Sequence, residues 1–254
     1  MKTDLKKAFE HAAEQHYWSG SESVSGPGSN LQQTEIIRRE IPELLTKYKI
    51  STMLDAPCGD LFWMKQILGE LKRRGIQYQG ADIVSSLIEQ HRRQYKAQQL
   101  EFNTINLIKS PIPRVDLVFT RDCFIHLSYF NIYLILKNYK NSGSIYLLTN
   151  TYSRASRVNT NVEGFFLWGR MLNMEKFPFY FGPPLEIIVE GCTEKDCIDD
   201  DKSLGLWELE QLNLNRLMLC LALLFLPERC TRIYKSSIHF LKRCMGFIQR
   251  RISA

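Results

Sequence analysis

Residues 53–60 read Met53-Leu-Asp-Ala-Pro-Cys-Gly-Asp60, and 22 residues after Asp60 comes Asp82, within Gln79-Gly-Ala-Asp-Ile83. The first stretch is an apolar strand closed by an acid, then a tight turn through Pro57 and Gly59 that opens a helical pattern. The second is another short strand, again closed by a carboxylate. Two strand-end acids beside one glycine turn suit a ligand that carries both an amine and a ribose.

S-adenosylmethionine (SAM) is such a ligand, and electrostatics separates it from a dinucleotide. Dinucleotide sites use G-x-G-x-x-G because the backbone must come close to a pyrophosphate at a helix N-terminus. In that frame this chain offers Pro57, Gly59 and Phe62, so two of the three glycines are missing. Asp55 would also set a carboxylate near the phosphates, a costly repulsion in a partly desolvated site. A sulfonium nucleoside has no phosphate, and its ammonium group favours that acid. The motif alone leaves a plainer reading open, in which Asp55 merely ends a strand and Asp60 caps a helix.

Working outward, strands and helices alternate: strand 52–56, helix 62–74, strand 78–82, helix 85–97, strands 100–106 and 116–121, helix 129–139 and strand 144–151. Such alternation predicts an α/β fold with a mostly parallel sheet and helices on both faces. Ligands of these sheets sit beyond the carboxyl ends of the strands. Asp55, Asp82, Asn106, Asp122 and Asn150 all fall at or just past those ends. Upstream, helix 5–17 is followed by a Gly/Ser loop (19–30) and a second helix (31–48), in which Pro42 is expected to cause a break. Downstream, residues 152–184 interrupt the alternation with an aromatic-rich insertion that is a candidate lid or substrate wall, before two closing strands near 185–190 and 203–209. Residues 213–254 form an apolar, then basic, helical tail.

The 254 residues carry a formal net charge of +6. From Glu228 onward seven Arg or Lys face one acid, so the tail supplies the whole excess and residues 1–227 are neutral. A long phosphate backbone is therefore not the expected partner. The tail's basic, amphipathic character fits either a peripheral membrane contact or a docking partner, or packing on its own domain. Its apolar run, Leu217–Leu226, is about half a membrane span. Seven scattered cysteines complete no zinc pattern and read as free thiols. Residues 1–18 lack the apolar run of a secretory signal, so a cytoplasmic location is expected.

With these residues in place, the chain resembles the class I SAM-dependent methyltransferases, and more narrowly an uncharacterised subfamily often associated with surface-glycan gene clusters. The resemblance is carried by Ser25-Gly-Pro-Gly-Ser29, Asp55-Ala-Pro-Cys-Gly-Asp60, Ala81-Asp-Ile-Val84, Arg121-Asp-Cys-Phe-Ile-His-Leu127 and Asp201-Lys-Ser-Leu-Gly-Leu-Trp207, and it spans most of 17–210. It implies a Rossmann-like, seven-stranded fold with SAM as cofactor and S-adenosylhomocysteine as product. The N-terminal helices and Gly/Ser loop (1–50) would cover a SAM-binding domain (51–212). On this resemblance Asp55 meets the ammonium group, Gly59 lets the backbone pass beneath the sulfonium, Asp82 and Ile83 flank the ribose and Asn106 meets the adenine. Pro57, Ser25, Gly26, Gly28 and Arg121 complete the surroundings. Pro57 stands where a glycine is usual, and a carboxylate is commoner at position 106.

Methyl transfer is a direct displacement that needs chiefly alignment, and for an alcohol acceptor also a base. His126, four residues after Asp122, is the candidate general base, with Asp122 as its orienter or as acceptor of a substrate hydroxyl. The expected reaction is O-methylation of a saccharide or other small molecule without a metal. A nicotinamide-dependent reductase and a non-catalytic methyltransferase-like binding protein are the rival readings. The Asp199–Asp201 run reads as a solvated turn.

Overall fold

The computed structural model describes residues 4–18, 22–98, 100–165, 167–194 and 199–224. The basic stretch after Pro227, Phe166 and Cys197 lie outside them. The chain divides into a unit of residues 1–214 and a second unit of 215–254. Helix α6 (Leu214–Leu224) starts at the last residue of the first, and its residues from Asn215 on are the described part of the second. Among the described residues no helix is long and apolar enough to cross a membrane.

The large unit is built on one seven-stranded sheet. In chain order its strands are β1 (Thr52–Asp55), β2 (Gln77–Asp82), β3 (Glu101–Thr104), β4 (Leu117–Thr120), β5 (Tyr146–Tyr152), β6 (Glu186–Val189) and β7 (Lys202–Glu208). They lie in the order β3-β2-β1-β4-β5-β7-β6, with β7 antiparallel to both neighbours and the other pairings parallel. The mostly parallel sheet is what the alternation of elements predicts. The chain reverses direction in strand order beside β1 and β4, so their carboxyl ends border the crevice where such sheets bind ligands.

The central strands are apolar on both faces, as strands covered on both sides must be. Met53, Leu54, Leu117, Val118 and Phe119 are all essentially buried. Helix α3 (Lys65–Arg73) buries Ile67, Leu68 and Leu71 and ends in Lys72 and Arg73, which suit the negative end of its dipole. Helix α4 spans Ser85–Gln94. Helix α5 (Tyr129–Asn141) starts at Ser128, whose side chain accepts the Asn131 amide at 3.2 Å.

Pro42 does not break its helix. Helix α2 runs unbroken over Glu35–Lys47 with Pro42 inside it. Ile37, Ile41, Leu44 and Leu45 are nearly solvent-free, and that packing outweighs the proline penalty of about 3 kcal/mol. The Pro42 carbonyl also accepts from Thr46 Oγ1 at 3.0 Å and from Arg74 Nη1 at 3.2 Å. The first helix is shorter than its pattern, α1 covering Leu5–Glu14 with Asp4 as N-cap.

Candidate functional site

A cavity of about 1200 Å³, counting its open mouth, lies against the carboxyl ends of β1, β2 and β4. Of the residues singled out in the sequence, Asp55, Pro57, Gly59, Asp82, Ile83, Asn106 and Ser25 line it, as do Arg121, Asp122 and His126. Gly26 and Gly28 are not among its described lining residues. The turn after β1 is fixed on both sides: the Ala56 amide donates to the Phe119 carbonyl at 2.9 Å, and the Cys58 amide to the Ala81 carbonyl at 2.8 Å.

Asp55 and Asp82 are 3% and 6% exposed. Tyr78 donates its hydroxyl to Asp55 Oδ2 at 2.7 Å. Burial dominates all the same, and with a smaller push from Asp82 it drives the Asp55 carboxyl up to about 8. Asp82 is also raised by burial, opposed by backbone amides. Val84 donates to its Oδ1 at 2.9 Å, and Gly59 donates to its Oδ2 at 3.0 Å. Gly59 thus ties the β1 turn to the β2 acid, and its φ of +55° suits the one residue without a Cβ penalty. A Cβ there would stand 2.5 Å from Ser25 Oγ.

That close approach shows what Asp60 does, which the sequence did not reveal. Its carboxylate gathers the Gly/Ser segment: Oδ2 accepts from Ser23 Oγ at 2.8 Å and from the Val24 amide at 2.9 Å, and Oδ1 accepts from Ser25 Oγ at 3.1 Å. It also accepts the Phe62 amide at 3.1 Å, so the capping role and the latch coexist. Asp60→Ala strands four donors at once. It should open the Ser23–Ser25 segment to proteolysis and weaken ligand binding in the cavity about 10-fold, on the scale of one or two lost charge-assisted hydrogen bonds. Limited digestion and a binding isotherm check this.

Beside the cavity lies a buried ion network that joins β4, β5 and the β6–β7 hairpin. Arg121 donates to Glu190 from Nε (3.2 Å) and Nη2 (2.7 Å), gives Nη2 to the Gly28 carbonyl at 2.8 Å, and sets Nη1 3.1 Å from Asp122. Lys202 donates to the same Asp122 oxygen at 3.0 Å. Asn150 bridges the two acids, donating to Glu190 at 2.8 Å and accepting the Asp122 amide at 2.5 Å. Burial would raise Asp122, but Arg121 and Lys202 outweigh it and hold the carboxyl well below its usual range. Asp122 has φ +52°, a strained position for a residue with a side chain, which the network pins. Asp122 is therefore held as an anion. Glu190 and Lys202 have no counterpart among the residues anticipated here.

His126 ends a short 3-10 turn over Phe124–His126, where a positive charge on its ring would act favourably on Asp122. Its ring sits in an aromatic group, with centroids 5.2 Å from Trp18, 5.9 Å from Phe165 and 6.4 Å from Phe9. Asn106 lines the cavity while also accepting the Ile108 amide at 3.1 Å, as a turn residue does. The insertion divides in role. Phe165 joins the aromatic group, Phe179 is buried beside Tyr129, and Trp168 is 75% exposed. The Asp199–Asp201 run is not a freely solvated turn: Arg157 pairs with Asp201 and Asp199, and Arg154 with Asp200. Asp199 is 5% exposed.

No protein-family model and no curated protein matches the chain. Among solved structures it is similar to geranyl diphosphate C-methyltransferase from Streptomyces coelicolor A3(2), at 10% identity over 81% of this chain and 98% of that one, with a TM-score of 0.49. It is also similar to human N-acetylserotonin methyltransferase (12% identity, 80% of this chain and 66% of that one, TM-score 0.48). A third is the CMeT domain of the citrinin polyketide synthase (16%, 67% and 51%, 0.47).

Proposed function

We propose that the protein is a SAM-dependent methyltransferase acting on oxygen of a small-molecule acceptor, a saccharide among the leading candidates. The observation that carries this is the pair Asp55 and Asp82, buried at neighbouring strand ends in one cavity, with the Gly59 amide tying the β1 turn to Asp82. A buried carboxyl driven to about 8 is poorly matched to a phosphate and well matched to an arriving cation. In this reading Asp55 holds the ammonium group and Asp82 the ribose hydroxyls. Residues 51–212 form the binding domain, and 1–50 cover it.

The sulfonium donor supplies an activated methyl group. The chain's own residues would orient the acceptor, exclude water and take up the proton of its hydroxyl, His126 being the group that would accept it. Asp122, held ionised, stabilises the charge that His126 gains. His126→Ala should lower turnover by 10²- to 10⁴-fold, with little change in S-adenosylhomocysteine affinity. Unchanged turnover removes His126 from the mechanism.

Calorimetry tests the class of ligand. S-adenosylhomocysteine should bind with a dissociation constant in the micromolar range, worth about 8 kcal/mol, and NAD should not bind measurably. The reverse ranking would replace this reading with a nicotinamide-dependent one. Binding without turnover on any alcohol acceptor would favour a non-catalytic role.

A further inference from the structure

The cavity extends past the two acids to an end that they do not explain. Leu5, Phe9 and Ala13 recur every four residues along α1, so they share one face of the helix. All three line the cavity. The apolar stripe of α1 therefore faces the site rather than a closed core, Ala12 being its one fully buried residue. Trp18 continues this wall and is anchored by its indole N–H, which donates to the Leu167 carbonyl at 2.7 Å. Phe165 backs it, 4.7 Å from Phe9 and 6.0 Å from Trp18 between ring centroids.

The charges at this site limit what it can accept. Among the described lining residues Arg121 is the one Lys or Arg, against Asp55, Asp60, Asp82 and Asp122. Its guanidinium is already committed to Glu190, Asp122 and the Gly28 carbonyl. A phosphate or carboxylate on the entering part of an acceptor would meet acids and no uncommitted fixed cation, a desolvation penalty without compensation. Aromatic faces, by contrast, offer a platform for an uncharged ring.

We infer that the acceptor enters as an uncharged ring laid against Phe9 and Trp18, so that helix α1 and Trp18 set acceptor specificity. This rests on the proposed methyltransferase reading, and the first step of the test separates the two. Protein is titrated with S-adenosylhomocysteine; failure to bind defeats that reading. The loaded protein is then titrated with phenyl β-D-glucopyranoside and with phenyl phosphate, which share a ring and differ in charge.

The glucoside should bind at least 10-fold more tightly than the phosphate. Phe9→Ala and Trp18→Ala should each weaken the glucoside at least five-fold more than they weaken S-adenosylhomocysteine, whose binding reports that the variant is folded. Trp168→Ala, on an exposed residue outside the cavity, should change neither. Ala13→Lys adds a cation to the wall in the last turn of α1, where the helix tolerates it. It should improve phenyl phosphate several-fold. The inference is overturned if phenyl phosphate binds the wild type as well as the glucoside does, if the glucoside does not bind, or if Phe9→Ala and Trp18→Ala leave its affinity unchanged relative to S-adenosylhomocysteine.

Discussion

Asp55→Asn should make the ligand-free protein more stable at pH 8 and nearly unable to bind a SAM-type ligand. The wild-type carboxyl is raised by burial from 3.8 to about 8, so between those values the folded state holds a proton that the unfolded chain has released. Stability then falls as pH rises across that window, since the folded state binds more protons. At pH 8 the amide removes a penalty on the order of 2 kcal/mol, so the melting temperature should rise by about 4–8 °C. At pH 3, below both values, the wild-type group is protonated in both states and the two proteins should melt alike. Removing one partner of a buried charge pair should meanwhile weaken binding by 100-fold or more, roughly 2.7 kcal/mol. Thermal melts at both pH values, with one isotherm for each protein, check the prediction. A variant that is less stable at pH 8, or that binds normally, would show that Asp55 is only a strand-end residue.

Lys202→Met should destabilise the fold by about 3–5 kcal/mol, because it leaves two buried acids sharing one guanidinium. Lys202 is 5% exposed and Glu190 3%, so water cannot take the place of the missing ammonium group. The sign of the pH dependence is opposite to that of Asp55. The folded Asp122 carboxyl is depressed, so its contribution is present above the unfolded value near 4 and is lost as pH falls below it. In Lys202→Met the folded Asp122 carboxyl rises toward the unfolded value, so that acid loss should shrink. The double variant Lys202→Met/Asp122→Asn restores charge balance and should recover a large part of the stability. Denaturant titrations of the three proteins at pH 7 and pH 4 check this. A loss below 1 kcal/mol in Lys202→Met would mean the network is not what pins Asp122.

The order of elements was legible in the sequence because parallel strands buried on both faces leave short apolar runs, and the two acids at their ends marked the side on which the cavity lies. Asp55 and Asp82 could be read because each closes such a run. Pro42 misled because propensity is local, whereas four buried aliphatic residues on the same helix settle its fate. The partners of Asp122 were hidden for a topological reason. Lys202 lies 80 residues away and meets it only because β7 runs antiparallel beside β5. A lysine opening the otherwise apolar Ser203-Leu-Gly-Leu-Trp207 strand was the available signal, and Glu190 after Ile187-Ile-Val189 was its counterpart. Phe9 and Trp18 gave only an amphipathic pattern, which does not say whether the apolar face meets a core or a cavity.

The most direct measurement is the number of protons exchanged when S-adenosylhomocysteine binds, obtained by calorimetry at pH 7 in buffers of different ionisation enthalpy. If Asp55 receives the ammonium group, close to one proton should leave per ligand at pH 7, falling toward none at pH 9 and in Asp55→Asn. Tight binding with no proton released, or no binding at all, would contradict the claim that the buried acid at the end of β1 grips the amino-acid end of the nucleoside.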